Sequence, residues 1–371
     1  MTVRPAVPSL SHGTSATDPS LAFGRAKPKT AGSTEARRLA ELARAAGLGD
    51  SPDDAMQLSL EALTLVGDEA QTPLGADVLR WQGSLLRQRS RISDAEPLFE
   101  RSLALSIHLG YEAGEAHALN CLAGLCQRRG DVTAAAGLLT DALAIADRCG
   151  ETRLIGMIQQ NLGIIADIRG NPAAALAHYL VSLRTFERSS DLQAISWVLN
   201  NLGYLHVKEG RHDEARSCFD RALGIARSRG DLMSEGTLEE NRGELFLTIS
   251  DLPAAERSIH RALAIAAQRE DDARRAASLK LQGALYRLRG SPLLAIDTLE
   301  RATTLSAVGK DALLGGEILY QFGLALRDAG RGDAANDVLR AALESFERIA
   351  ARQWVGRTRG QLTHPASGRY L

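Results

Sequence analysis

Apolar positions in the stretch 200–231, NNLGYLHVKEGRHDEARSCFDRALGIARSRGD, recur at three- and four-residue spacing on either side of Gly210. That period marks two amphipathic helices with a turn between them. Small residues stand at Gly203, Ala215 and Ala222, and large ones at Leu202, Phe219 and Leu223. The pattern predicts a helix-turn-helix hairpin. Shifted by 40 residues it lands each time on another copy.

The register shows no insertion or deletion. Ala215 recurs as Ala55, Ala95, Ala135, Ala175, Ala255, Ala295 and Ala335. Gly203 recurs as Gly83, Gly163, Gly243, Gly283 and Gly323, with Ala43 and Ala123 in two further copies. A second small position reads Ala62, Ser102, Ala142, Ser182, Ala222, Ala262, Ala302 and Ala342. Between the two lies a large position, Phe99, Leu139, Tyr179, Phe219, Ile259, Leu299 and Leu339, with Ser59 in the first copy. Small residues at fixed points let helix backbones approach closely, and the large ones are expected to fill the hole left between hairpins.

The turns follow the same register. Ser51-Pro52, Asn171-Pro172 and Ser291-Pro292 each place a capping side chain before a proline at the first helical position. Asp131 and Asp251 stand at the same cap position. Gly130, Gly170, Gly210, Gly290 and Gly330 precede these caps, where a left-handed residue ends the first helix.

The small residues at 203, 215 and 222, with NLG in the first helix and AxxxFxxAL in the second, resemble the tetratricopeptide repeat. The usual unit of that family is shorter, about 34 residues. The longer unit is similar to the branch seen in kinesin light chains and bacterial signalling proteins. HEAT repeats share the length but lack the small-residue fingerprint. The resemblance spans residues 33 to 362 and implies an all-α, right-handed superhelical solenoid of about eight hairpins. Each hairpin cannot bury its apolar face alone, so stacked neighbours share one continuous core.

Composition narrows the function classes. Lys plus Arg number 44 against 45 Asp plus Glu, a net charge of -1 that carries no nucleic-acid footprint. Cys121, Cys126, Cys149 and Cys218 have neither paired CxxC spacing nor the density of a disulfide scaffold, and read as buried small hydrophobes. No apolar run is long enough to span a membrane and no secretory signal is evident, so a cytoplasmic protein is expected. Residues 1–32, rich in Pro, Ser, Thr, Ala and Gly with one acid, Asp18, read as a disordered leader. Residues 33–362 form the solenoid and 363–371 a C-terminal tail. A basic helix at 33–48 opens the first hairpin. The stretch from Ser345 to Leu362 resembles the closing segment of repeat domains in LuxR-type and cyclase-linked regulators, with Trp354 covering the last apolar face.

Catalytic chemistry is sparse. The lone GK pair, Gly309-Lys310, lacks the remaining residues of a phosphate loop, and the eight histidines form no metal-ligand pair. His206 reads as a satisfied interior histidine, and Glu239, Glu240 and Glu244 as a solvated acidic face. No enzyme activity and no cofactor are expected.

The first-helix face opposite the core is the better candidate. With Leu199, Gly203 and His206 facing inward, Trp197, Asn200, Asn201, Tyr204 and Lys208 lie on the other side. The repeat family lines its concave groove with this face. Neighbouring copies add Met157, Gln160, Asn161 and Ile164 on one flank and Glu240, Asn241 and Glu244 on the other. Asn161, Asn201 and Asn241 share one position, and a side-chain amide suits the backbone of an extended peptide. Asn200 to Gly203 resembles the motif whose asparagines contact cargo peptides in kinesin light chains. The alternative is that each asparagine bonds a neighbouring helix. The co-chaperone clamp for acidic C-termini is absent, since Lys280 is followed by Ala284 where the clamp needs asparagine. Arg80 and Arg87 early, and Lys280, Arg287 and Arg327 late, flank an acidic middle and imply a ligand of mixed charge.

The expected function is therefore a non-catalytic interaction scaffold of bacterial signalling, holding a peptide or helix of a partner protein without membrane or direct nucleic-acid contact. A sensory or regulatory subunit of a transcription or cyclase control system, binding a small effector or a separately encoded regulator, is the alternative. Homo-oligomerisation through terminal hairpins is a third expectation.

Overall fold

The computed structural model describes residues 34–35, 37–39, 41–42, 52–66, 72–88, 91–309, 311–349 and 351–363. The leader, Ala43, the Ser51 cap, the side chain of Ala55, most of the 33–48 helix and residues 364–371 lie outside the described residues. Helix α1 (Pro52–Val66) precedes seven complete hairpins. These are α2 (Pro73–Gln88) with α3 (Ile92–Leu109), α4 (Glu112–Arg128) with α5 (Val132–Cys149), α6 (Thr152–Ile168) with α7 (Pro172–Arg188), and α8 (Leu192–Lys208) with α9 (His212–Ser228). There follow α10 (Leu232–Thr248) with α11 (Leu252–Gln268), α12 (Asp272–Leu288) with α13 (Pro292–Gly309), and α14 (Ala312–Asp328) with α15 (Gly332–Arg348). Helix α16 (Arg352–Thr363) closes the array, and no strand occurs among the described residues. The fold is an all-α solenoid of consecutive hairpins.

The small and large positions explain each hairpin. A Cβ placed on Gly203 would lie 2.5 Å from the Phe219 ring, and one on Gly163 2.5 Å from Tyr179. Gly83 meets Phe99, Gly283 meets Leu299 and Gly323 meets Leu339 in the same way. The large residue thus fills a hole inside its own hairpin, not between hairpins as the sequence pattern alone suggested. The second small position has its own reason. Ser102 Oγ donates to the Ala76 carbonyl at 2.7 Å and Ser182 Oγ to the Gly156 carbonyl at 2.7 Å, so this residue lies directly on the first-helix backbone.

Successive first helices touch one another, α2 with α4, α4 with α6, α6 with α8 and so on to α12 with α14, while the second helices make no comparable contact among themselves. The shorter path belongs to the inside of a curve. First helices form the inner layer and second helices the outer one.

Every turn from Gly110 to Gly290 among the described residues, and that at Gly330, uses a left-handed residue. Gly130, Gly170, Gly210, Gly290 and Gly330 take positive φ as their register requires. Gly110, Gly150 and Gly230 do the same between hairpins, so the left-handed residue recurs at both kinds of turn. At Gly130 the next N–H, that of Asp131, reaches back to the Cys126 carbonyl at 2.9 Å and satisfies a helix-end acceptor. Asp131, Asn171 and Asp251 then cap the following helix through Ala134, Ala174 and Ala254 N–H groups.

Three of the described turns place another residue there: Ser190, Ser250 and Glu270 adopt φ of 53°, 61° and 53°. A left-handed side-chain residue costs about 1–2 kcal/mol, partly offset by the greater unfolded-state freedom of glycine. Ser190→Gly, Ser250→Gly and Glu270→Gly are each expected to raise stability by roughly 0.5–1 kcal/mol. Urea unfolding of the single variants reads this, and unchanged midpoints in all three would remove the strain argument.

The array closes as the sequence suggested. Trp354 of α16 stacks on Phe346 at 5.2 Å and meets Tyr320 edge-on at 5.4 Å. Arg327 donates to Gln361 at 2.8 Å and ties the capping helix to α14.

Candidate functional site

The inner layer carries the residues singled out from the sequence. On α8, Leu199 and Gly203 are buried, Asn200 and Asn201 half-buried, and the Tyr204 ring is 49% exposed. Trp197 is half-buried and rests against the core of its unit. Lys208 is exposed and pairs with Asp167 of α6 at 2.6 Å. Met157, Gln160, Asn161 and Ile164 lie half-buried on α6. On α10, Asn241 is half-buried and Glu244 exposed, whereas Glu240 is buried.

Burial raises the pKa of the Tyr204 hydroxyl, and Glu244, Glu317 and Asp167 push it in the same direction against Lys280. The charges that bear on this hydroxyl of α8 come from α6, α10, α12 and α14.

Two of the three laddered asparagines reach sideways. Asn161 Nδ2 donates to Asn120 Oδ1 at 2.8 Å, and Asn241 Nδ2 to Asn200 Oδ1 at 2.6 Å. Each joins its unit to the preceding one and keeps its own carbonyl oxygen. Asn201 has no side-chain partner among the described residues.

Two of the acidic trio, Glu239 and Glu240, do not belong to a solvated face, while Glu244 is exposed. Glu239 is 2% exposed and sits at the register position of Leu199 and Leu279. It accepts from Arg227 at 2.6 Å and Arg242 at 3.2 Å. Glu235, also buried, accepts from Arg227 and twice from Arg261, and Arg261 holds its pKa down against burial. Arg242 lies 3.0 Å from Asp220. Glu240 accepts from Arg274 at 2.7 Å and Ser278 at 2.9 Å, yet burial still raises its pKa. A run of carboxylates can be buried because Arg242 of α10 itself, Arg227 of α9, Arg261 of α11 and Arg274 of α12 supply the counter-charge. The only visible hint in the sequence is an acid standing in a leucine register.

The basic groove ends are also compensated, except at Arg87, which has no acidic partner among the described residues. Arg80 pairs with Asp77 at 2.7 Å, and Arg287 with Asp328 at 2.8 Å and Gln321 at 2.8 Å. Arg327 donates to Gln361 and Asn336. Lys280 pairs with Glu317. Burial works against the Lys280 ammonium, but Glu317, Glu244 and Glu240 outweigh it and raise its pKa. The charges that imply a mixed ligand are thus largely internal pairs.

Two other readings change. His206 is half-buried with its Nδ1 unpartnered, not a satisfied interior histidine, and burial together with Arg211 lowers its pKa. Cys149 is exposed, Cys126 and Cys218 are half-buried, and only Cys121 is fully buried. Near the N-terminal end, burial first, then Arg80 and Arg153, press the pKa of His117 down to about 3, so its imidazole is neutral. No group of three or more His, Cys, Asp or Glu is placed to hold a metal among the described residues. No helix among them is long and apolar enough to cross a membrane.

The tetratricopeptide repeat family profile matches residues 114–188 and 194–268, two consecutive hairpin pairs in this register. The chain is of the tetratricopeptide-repeat type. Its solenoid is similar in fold to the apo quorum sensor NprR of B. thuringiensis, at 14% identity over 84% of this chain and 87% of that one, with a TM-score of 0.64. It is also similar to the Rap conjugation gene regulator of plasmid pLS20 solved with the Phr* peptide, at 13% identity over 87% and 97%, with a TM-score of 0.62. A third likeness is the signal transduction ATPase with numerous domains from Pyrococcus horikoshii, which carries a tetratricopeptide repeat sensor. There the identity is 14% over 87% of this chain and 48% of that one, and the TM-score 0.61. No curated protein matches the tetratricopeptide chain in sequence.

Proposed function

We propose that this tetratricopeptide protein is a non-catalytic scaffold that captures an extended peptide segment of a partner protein in its concave groove, in the bacterial cytoplasm and in a signalling role. The observation that carries the reading is the half-exposed Tyr204 ring on the inner layer, set among amides with unused hydrogen-bonding capacity. An aromatic ring with a polar tip supplies contact area at small conformational cost, and amides hold a peptide backbone without reading its sequence. Asn201 offers both donor and acceptor, while Asn161 and Asn241 offer carbonyl oxygens from either side. Gln160 and Ile164 on α6 and Glu244 on α10 extend the surface on either side of α8. Met157, Trp197, Asn200, Lys208 and Glu240 form the supporting wall. The pLS20 regulator, whose fold is similar, was solved with a peptide, which lends the reading support.

The test is selection of binding peptides from a random library on the immobilised chain, followed by fluorescence anisotropy with the enriched sequences. Tyr204→Ala/Asn201→Ala is expected to weaken binding roughly tenfold or more, as loss of an aromatic anchor does. Equal affinity for wild type and the double variant, at equal helicity, would move the site off this wall.

A further inference from the structure

The inner layer follows a fixed offset from one unit to the next. Lys208 meets Asp167 and Asp328 meets Arg287, each pair 41 residues apart, as are the bonded amides Asn120 with Asn161 and Asn200 with Asn241. The same offset from Arg87 leads to Arg128. Where two other joints hold an ion pair, the joint between α2 and α4 carries an arginine at both of the equivalent positions.

Neither arginine has a substitute partner among the described residues. Arg287 and Arg327 share the register of Arg87, and both donate to an amide 34 residues on, Gln321 and Gln361. The residue 34 positions after Arg87 is Cys121, which offers no comparable acceptor. Arg87 is half-buried, and its Nη1 would stand 3.2 Å from a Cβ on Gly124, so the guanidinium reaches across to the α4 backbone through a gap that glycine leaves. Arg128 is exposed one turn further along α4. A joint with arginines at both positions lacks a counter-charge, and an oxyanion held by the two gains charge-assisted, fork-shaped hydrogen bonds.

We propose that Arg87 and Arg128 form an oxyanion-binding site at the N-terminal end of the concave groove, taking a carboxylate of the bound segment. The proposal rests on the groove reading above and gives it a polarity. Among the inner-layer charges near Tyr204, Glu244 has no ion-pair partner among the described residues, so the other end of the bound segment, over α10 in the middle of the groove, suits a cationic side chain. Between the two ends lie Ile164, the exposed Ile168 and the Tyr204 ring. The bound segment runs from acidic to apolar to basic along the units from α2 to α10.

The thermal midpoint of the full chain, titrated with sodium phosphate or sodium acetate against sodium chloride at matched ionic strength, tests the site. Wild type is expected to rise by a few degrees in millimolar oxyanion beyond the chloride control. Arg128→Asp copies the Arg287–Asp328 pair, so it is expected to fold, to start at a higher midpoint and to lose the response. Response to both anions supports a carboxylate, and response to phosphate alone supports a phosphorylated group in the same site. No excess response in wild type, or an equal response in Arg128→Asp, overturns the proposal. The anion response does not involve Tyr204 or Asn201, so Tyr204→Ala/Asn201→Ala keeps it even if the peptide reading fails.

Discussion

Replacing Gly203 with alanine is expected to destabilise the hairpin of α8 and α9, although helix propensity argues the other way. Glycine in a helix interior is worse than alanine by about 1 kcal/mol, so an exposed site would gain. Here the added methyl would stand 2.5 Å from Cε1 and 2.7 Å from Cδ1 of Phe219, a side chain with no exposure and no room to withdraw. Overpacking of this kind costs roughly 1–3 kcal/mol, and steric conflict wins. The repeat itself supplies the rescue. In the hairpin of α4 and α5 the same two positions hold Ala123 and Leu139, both 1% exposed. Phe219→Leu added to Gly203→Ala is expected to recover most of the loss. Denaturant unfolding of both single variants and the double variant measures the coupling, and simply additive costs would refute the pairing of these two positions.

The second large effect lies at Glu239. Alanine there removes the acceptor of Arg227 and Arg242 and leaves a void in a leucine register. Breaking a buried ion pair costs about 3–5 kcal/mol, and the upper part of that range is not expected because Arg227 reaches solvent and retains Glu235. Leucine at the same position restores the side chain found at 199 and 279 and leaves Arg242 beside Asp220. Glu239→Leu is therefore expected to cost much less than Glu239→Ala, or to stabilise. Thermal unfolding of the two variants decides it. A leucine variant as damaged as the alanine one would mean that the carboxylate itself, and not filled volume, holds the joint between α9, α10 and α11.

The fold was legible because its determinants are local and repeated. Gly203, Ala215 and Phe219 each answer to a backbone a fixed number of residues away, so the register alone announces the hairpin. Even so, the pattern could not tell that Phe219 fills its own hairpin, since both placements demand the same small and large residues. The site was less legible. Tyr204 and Asn201 could be placed on the inner face by helical period. That Lys280, Arg287 and Arg327 are already paired depends on which neighbour each long side chain reaches, and period does not specify that. The same reach buries Glu239 and Glu240 in what reads as an acidic surface. The unmatched charges at Arg87 and Arg128 emerge only by comparing equivalent joints.

The fixed offsets have a genetic consequence. Each hairpin carries its own knob and hole, and each joint draws only on adjacent units, so removal or duplication of a coding segment one period long rejoins partners of the same kind. Unequal crossing-over within such a gene changes the length of the groove without rewriting its walls. A lineage can thus lengthen or shorten its ligand register in single steps, while point substitutions such as those at 87 and 128 set what each step recognises.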